Sequence, residues 1–254
     1  MSIIAKTEQM AVAEDYYNVF SKDLLNDYLN GNPRTEAAIA HILKWLPIQT
    51  KNILDIGCGI GWTSFEIAKK HPNIQVFGVD LAPESLKIAR KLFKRPNTRF
   101  ENQDITADEF RTSQRFDAVL LVDVYEHIPA EARPFFHQSV AQVLNDNGRI
   151  MITCPTKPLQ QWGKKHNPSG LQPIDEDITA LELAQFAQDV EGELIYFTFK
   201  RIWNNNDYFH AVIEKKPQFS NVKRPLNEKI RDILPFRRIF RNWRVKSIFK
   251  QTPQ

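Results

Sequence analysis

The chain has 254 residues, of which 42% are apolar and 25% charged, with a formal net charge of +4. These values suit a soluble globular protein long enough to bury a full core, one domain with appendages. Two cysteines, Cys58 and Cys154, exclude a disulfide scaffold or a zinc spacing and fit a reducing cytoplasm. The longest apolar run, Ala118 to Val122, is far short of the ~20 residues of a bilayer span, and the opening residues predict no signal peptide.

In chain order, the periodicity predicts a helix over Ala13 to Leu29, closed by Gly31. A second runs to Trp45, with Asn32 as cap and Pro33 in its first turn. Both precede the first strand and are candidates for a cap over a site. Strands over Asn52 to Ile56, Gln75 to Asp80, Thr98 to Asn102 and Phe116 to Val122 then alternate with helices over Trp62 to Lys70, Pro83 to Leu92 and a short one near Asp108. A helix over Ala130 to Leu144, a turn at Asn145 to Gly148 and a strand over Arg149 to Cys154 come next. Residues 155–176 contain Pro155, Pro158, Pro168 and Pro173 and read as a long loop, a candidate lid. After a helix over Ile178 to Val190, strands over Glu193 to Lys200 and Tyr208 to Lys215 are close enough to pair as an antiparallel hairpin. Alternating strands and helices imply an α/β fold: a Rossmann-like, mostly parallel seven-stranded sheet with helices on both faces. Three regions are expected: an N-terminal helical cap (1–50), a cofactor-binding core (51–216) and a basic tail (217–254).

The most informative stretch is Ile53-Leu54-Asp55-Ile56-Gly57-Cys58-Gly59-Ile60-Gly61-Trp62. It reads as a buried strand that turns sharply under a ligand and enters a helix, the glycines letting main chain lie against a bound nucleoside. Asp80, ending the second strand, can accept two hydrogen bonds from a ribose diol. A dinucleotide loop wants its third glycine five positions after the first, and that position is Trp62, too large for the close helix packing involved.

The run Leu54 to Gly61, Asp80, Asp104 after the third strand, and Asp123-Val124-Tyr125-Glu126-His127-Ile128-Pro129 after the fourth resemble the class I S-adenosylmethionine-dependent methyltransferases over roughly Asn52 to Lys215. The resemblance implies S-adenosyl-L-methionine as cofactor and S-adenosyl-L-homocysteine as product. It places the loop of Gly57, Cys58, Gly59 and Gly61 under the methionine part and Asp55 near its ammonium. Asp80 would take the ribose hydroxyls, Asp104 the adenine amino group, and Ile105 and Leu81 the adenine ring. Val122 and Asp123 would floor the space between cofactor and substrate. It also implies the antiparallel last hairpin. Singly, Asp80 and Asp104 also read as helix caps and Asp55 as a strand-end residue. Tyr17, beside Tyr16 on the first helix, is a candidate cofactor contact, with packing as its alternative.

A hydroxyl acceptor must lose a proton as it attacks, whereas a neutral amine need only be presented unprotonated. His127, after the fourth strand, and His166, in the long loop, are the candidate bases. Each has a plain alternative: His127 ordering its loop, His166 an exposed residue. Asp123-Val124-Tyr125-Glu126 lacks the prolines of the Asn/Asp-Pro-Pro-Tyr/Phe segment seen in enzymes that methylate nucleobase amines or glutamine. Cys154 lacks the companion proline-cysteine of the RNA cytosine-C5 enzymes. No metal-ligand cluster is evident. The expected function is methylation of a hydroxyl or amine on a small-molecule, glycan or lipid-linked acceptor in a biosynthetic pathway. The alternative is a nucleic-acid or protein methyltransferase recruited by the tail.

From Asn221 to Gln254 ten basic residues stand against two acidic ones, a net of +8 that leaves −4 for the rest. Phe236, Ile239, Phe240 and Trp243 share one helical face, with arginines on the other, the pattern of an interfacial helix. An anionic membrane surface is the expected partner of residues 221–250, at ~1 kcal/mol per charge near the surface. Nucleic-acid contact and packing on the body are the alternatives. The expected location is cytoplasmic, peripheral on the membrane if the tail binds there.

Overall fold

The structure, a computed structural model, describes residues 3–104 and 112–219, with side chains from Asp15 onward. Ile105, the helix expected near Asp108 and the basic tail from residue 220 onward lie outside the described residues. The chain divides into two units, residues 1–217 and 218–254, and the sheet with its helices belongs to the first.

Seven strands form one sheet in the order β3-β2-β1-β4-β5-β7-β6, numbered along the chain as β1 Asn52–Ile56, β2 Gln75–Asp80, β3 Thr98–Asn102, β4 Phe116–Val122, β5 Leu144–Pro155, β6 Gly192–Lys200 and β7 Tyr208–Lys215. The first five run parallel, and β7 pairs antiparallel with both β5 and β6, so the Rossmann-like sheet and its antiparallel hairpin are as the sequence implies. The helices are α1 Ile3–Asn30, α2 Pro33–Trp45, α3 Trp62–Lys70, α4 Pro83–Leu92, α5 Arg133–Val143, α6 Lys157–His166 and α7 Ala180–Asp189.

The central strands are buried on both faces, which is why they read as continuous apolar runs. On one face Leu54, Ile56, Val119, Leu121 and Ile152 meet Phe136 and Val140 of α5 and Leu183 and Phe186 of α7. On the other Ile53, Val76, Ala118, Leu120, Met151 and Val212 meet Ile42 of α2 and Ile67 of α3. Helix α2 is therefore a layer of the fold as well as a neighbour of the site. Its start agrees with the sequence: the Asn32 side chain accepts the Arg34 N–H at 3.0 Å, with Pro33 in the first turn.

Three expectations need correction. Helix α1 begins ten residues earlier than Ala13, for nothing between Ile3 and Ala13 breaks a helix. The turn at 145–148 is absorbed as an irregularity of β5, where pairing jumps from Leu144 to Arg149 and Asn147 takes a φ of 61°. Residues 155–176 are no plain loop, since they hold α6. Thr156 caps that helix by accepting the Leu159 N–H, and Pro158 sits in its first turn, where a missing N–H costs nothing.

Candidate active site

At the carboxyl ends of β1, β2 and β4 a cavity of about 220 Å³ opens, closed over by α1, the first turn of α2 and the segment Gln172 to Ile174. The glycine turn forms its floor. Gly57 has a φ of 65°, and a Cβ there would lie 2.4 Å from Val124 Cγ2, so both its backbone and its space require glycine. Gly61 begins α3 with a φ of 86°, and a Cβ would meet Phe100 at 2.8 Å. It shapes the turn but does not line the cavity.

Asp80 organises this turn. Its Oδ2 accepts the Gly59 N–H at 2.7 Å and its Oδ1 the Ala82 N–H at 2.8 Å. Burial pushes its carboxyl up, and these backbone donors hold it back. Asp55, 1% exposed, accepts the Ser64 hydroxyl at 2.6 Å and so ties β1 to α3. Burial raises its carboxyl to about 7 against the pull of that hydrogen bond. Asp55, Gly57, Cys58, Gly59, Asp80, Leu81, Asp104, Val122, Asp123, Tyr17 and His127 all line the one cavity.

After β4 the chain bends at Asp123, whose φ of 54° is unusual for a non-glycine residue. Its Oδ2 lies 3.0 Å from Arg34 Nε, at the start of α2. Arg34 Nε and Asp123 Oδ1 are both buried without a hydrogen bond, so this pair of lining residues retains unused polar capacity. Arg34 also donates to the Tyr208 hydroxyl at 3.4 Å and lies 3.8 Å from Asp27. A short 3-10 turn, Tyr125–His127, comes next. His127 Nδ1 is 2.7 Å from the Ile174 carbonyl, which can only accept, so Nδ1 carries the proton and the neutral ring's lone pair is on Nε2. Nε2 is 3.8 Å from Glu126 Oε1, and the Tyr17 ring centroid is 6.2 Å from that of His127. Glu126 is 1% exposed and accepts the Cys154 thiol at 3.0 Å; burial drives its carboxyl up while His127 opposes the shift.

His166 stands elsewhere. It ends α6 exposed, its ring stacked on Trp162 at 4.9 Å and its Nδ1 at 2.9 Å from the Trp162 carbonyl, and it does not line the cavity. Sequence reasoning missed Arg34, Phe20, Leu24 and Gln172 on the cavity wall. Arg34 had a signal, an arginine two residues past the Asn32 cap in a helix expected to cover the site. Among the described residues no three His, Cys, Asp or Glu are grouped to hold a metal ion, and no helix is long and apolar enough to cross a membrane.

A strand-glycine-helix turn with an acid ending the next strand, in a sheet whose last hairpin is reversed, defines the class I methyltransferase architecture. A family model described as a methyltransferase domain matches residues 53–148. The ubiquinone biosynthesis O-methyltransferase of Idiomarina loihiensis is 31% identical over 114 residues, 44% of this chain and 45% of that protein. That of Pasteurella multocida is 26% identical over 161 residues, 56% and 65% of the two. The chain thus spans about half the length of the curated relatives it matches. The N-methyltransferase NodS of Bradyrhizobium japonicum, solved with S-adenosyl-L-homocysteine, shares the fold with a TM-score of 0.61 at 14% identity, covering 75% of this chain and 91% of NodS. Residues 53–148 thus carry a methyltransferase domain, in a fold shared with S-adenosylmethionine-dependent methyltransferases of known structure.

Proposed function

We propose that this chain transfers a methyl group from S-adenosyl-L-methionine to a hydroxyl or amine of a small-molecule, glycan or lipid-linked acceptor in a biosynthetic pathway. The carrying observation is the single cavity that gathers the glycine turn, Asp80, Asp104, Asp123 and His127. The residues fit the cofactor. Each Asp80 oxygen takes one backbone N–H and keeps a lone pair for a diol. Five aspartates line the cavity against one arginine, Arg34, in keeping with a cationic ligand. The bound cofactor supplies an electrophilic methyl on sulfur.

The protein's part is alignment and proton handling. Tyr17, Phe20, Leu24, Ile128, Pro173 and Ile174 give the covering wall an apolar surface that excludes water. His127 presents Nε2 as the acceptor for a hydroxyl proton, and buried Glu126 stabilises the imidazolium that forms. The O-methyltransferase names of the curated relatives support a hydroxyl acceptor. We propose further that the protein is cytoplasmic and that residues 221–250 bring it to anionic membrane.

Full-length protein is expected to gain heat stability with S-adenosyl-L-homocysteine, by RT ln(1 + [L]/Kd). No gain at millimolar ligand removes the cofactor reading. Labelled methyl is expected to enter small molecules or lipid of a fractionated extract, and label confined to RNA or protein overturns the acceptor class. Anionic vesicles should sediment the wild type and leave Phe236→Ser/Trp243→Ser in solution, equal sedimentation counting against the membrane.

A further inference from the structure

Buried Tyr125 and His137, with the exposed Asp189, form a hydrogen-bonded chain behind the cavity, and none of the three lines it. The Tyr125 hydroxyl lies 2.8 Å from His137 Nε2, and His137 Nδ1 lies 2.7 Å from Asp189 Oδ2. The Asp189 carboxylate can only accept, so His137 Nδ1 carries a proton and Nε2 accepts from Tyr125. The His137 ring stacks on Phe186 with centroids 4.0 Å apart and planes 11° from parallel, which leaves it one orientation. Burial favours the neutral forms, holding His137 below its usual range and Tyr125 above. Apolar side chains of similar shape would fill this space without desolvating a phenol and an imidazole; what a satisfied network adds is a single fixed geometry.

The geometry it fixes is that of the turn carrying Glu126 and His127. Tyr125 is the first residue of that turn. The residue after His127 is held as well: Arg133 Nε donates to the Ile128 carbonyl at 3.2 Å, Arg133 Nη1 lies 2.6 Å from Glu182, and the guanidinium sits 5.2 Å from the Tyr125 ring. Both flanks are thus bound to α5 and α7, which are seated in the core. The turn needs such holding, because only Val124 separates it from the left-handed Asp123, a conformation that persists only where surroundings over-determine it. The geometry points to Tyr125, His137 and Asp189 as a positioning relay that sets His127 against the cavity wall, with Arg133 and Glu182 as its second clamp. This rests on the reading of His127 as the proton acceptor.

The test reads His127 itself. In full-length protein with ¹⁵N-labelled histidine, the Nδ1–H held by Ile174 should give a downfield proton resonance, identified by its loss in His127→Asn. Tyr125→Phe and His137→Phe are expected to shift or abolish that resonance. Asp189→Asn, which still accepts from His137, should keep it. Leu183→Ala, which weakens α7 packing without removing a hydrogen bond, should lower the melting temperature and leave the resonance in place. An unmoved resonance in Tyr125→Phe, or an equal shift in Leu183→Ala, overturns the relay. With an acceptor in hand, kcat in Tyr125→Phe should fall about tenfold or more at unchanged S-adenosyl-L-homocysteine affinity. A wild type without methyl transfer but with a relay-dependent resonance removes the function and leaves the relay standing.

Discussion

Gly57 takes the left-handed backbone at the point where Val124 leaves no room for a side chain. In Gly57→Ala the backbone strain of ~1–2 kcal/mol adds to a steric overlap, so denaturant unfolding should show a loss of roughly 2–4 kcal/mol. Gly57→Ala/Val124→Ala should recover the overlap and keep the strain; if the double variant is no more stable than the single one, the clash lies elsewhere. His127 answers to a different measurement. His127→Ala removes the Nε2 lone pair, and transfer to a hydroxyl acceptor should fall by about 10²–10⁴-fold, with S-adenosyl-L-homocysteine affinity held. Loss of binding with activity would mean that the residue only orders its loop. Of the candidate residues, those on strand ends were legible because apolar runs fix where a strand stops and hence which acid faces the site. His166 was not, because its place depended on whether residues 155–176 were loop or helix.

That segment shows how element-level signals mislead. Four prolines argued for a loop, yet Pro158 falls in the first turn of α6, where proline is welcome, and Thr156 before it is a good cap. The signals for β1, β2 and β4 were unambiguous, since buried parallel strands that end at glycine or acid leave few alternatives. The wall contributed by α1 and α2 was foreseen as a cap, but Arg34 reaching Asp123 across 89 positions is a tertiary fact that no local pattern carries. Thr156 joins two elements, accepting from Leu159 and donating to the Asn206 carbonyl before β7. Thr156→Ala removes the cap and leaves that carbonyl unpaired, at a cost of about 1–3 kcal/mol. Chemical denaturation measures it, and a change within about 0.5 kcal/mol would show that α6 does not depend on this cap.

Across the whole molecule, buried acids and buried histidines set opposing pH dependences. Asp55 is held at about 7 by burial, whereas an unfolded aspartate titrates near ~3.9. Between those values the folded chain binds the extra proton, so stability from this group is full at low pH and falls as pH rises to about 7. Glu126, raised by burial, acts with the same sign. His41 and His210 face each other at 4.6 Å between α2 and β7, and burial lowers them to about 4 and about 3. There the unfolded chain binds the extra proton below ~6.5, so their contribution grows as pH rises towards neutrality. The windows overlap, and these four groups should leave a shallow net slope between about pH 4 and 7. Removing one side exposes the other. Asp55→Asn can still accept from Ser64 yet no longer titrates, so its stability relative to wild type should rise by up to roughly 4 kcal/mol from pH 4 to 7.5. His210→Asn should do the reverse, gaining relative to wild type as pH falls. Urea unfolding at both pH values decides it, and a constant offset between Asp55→Asn and wild type would mean that Asp55 is already ionised in the fold at low pH, with cavity water reaching it.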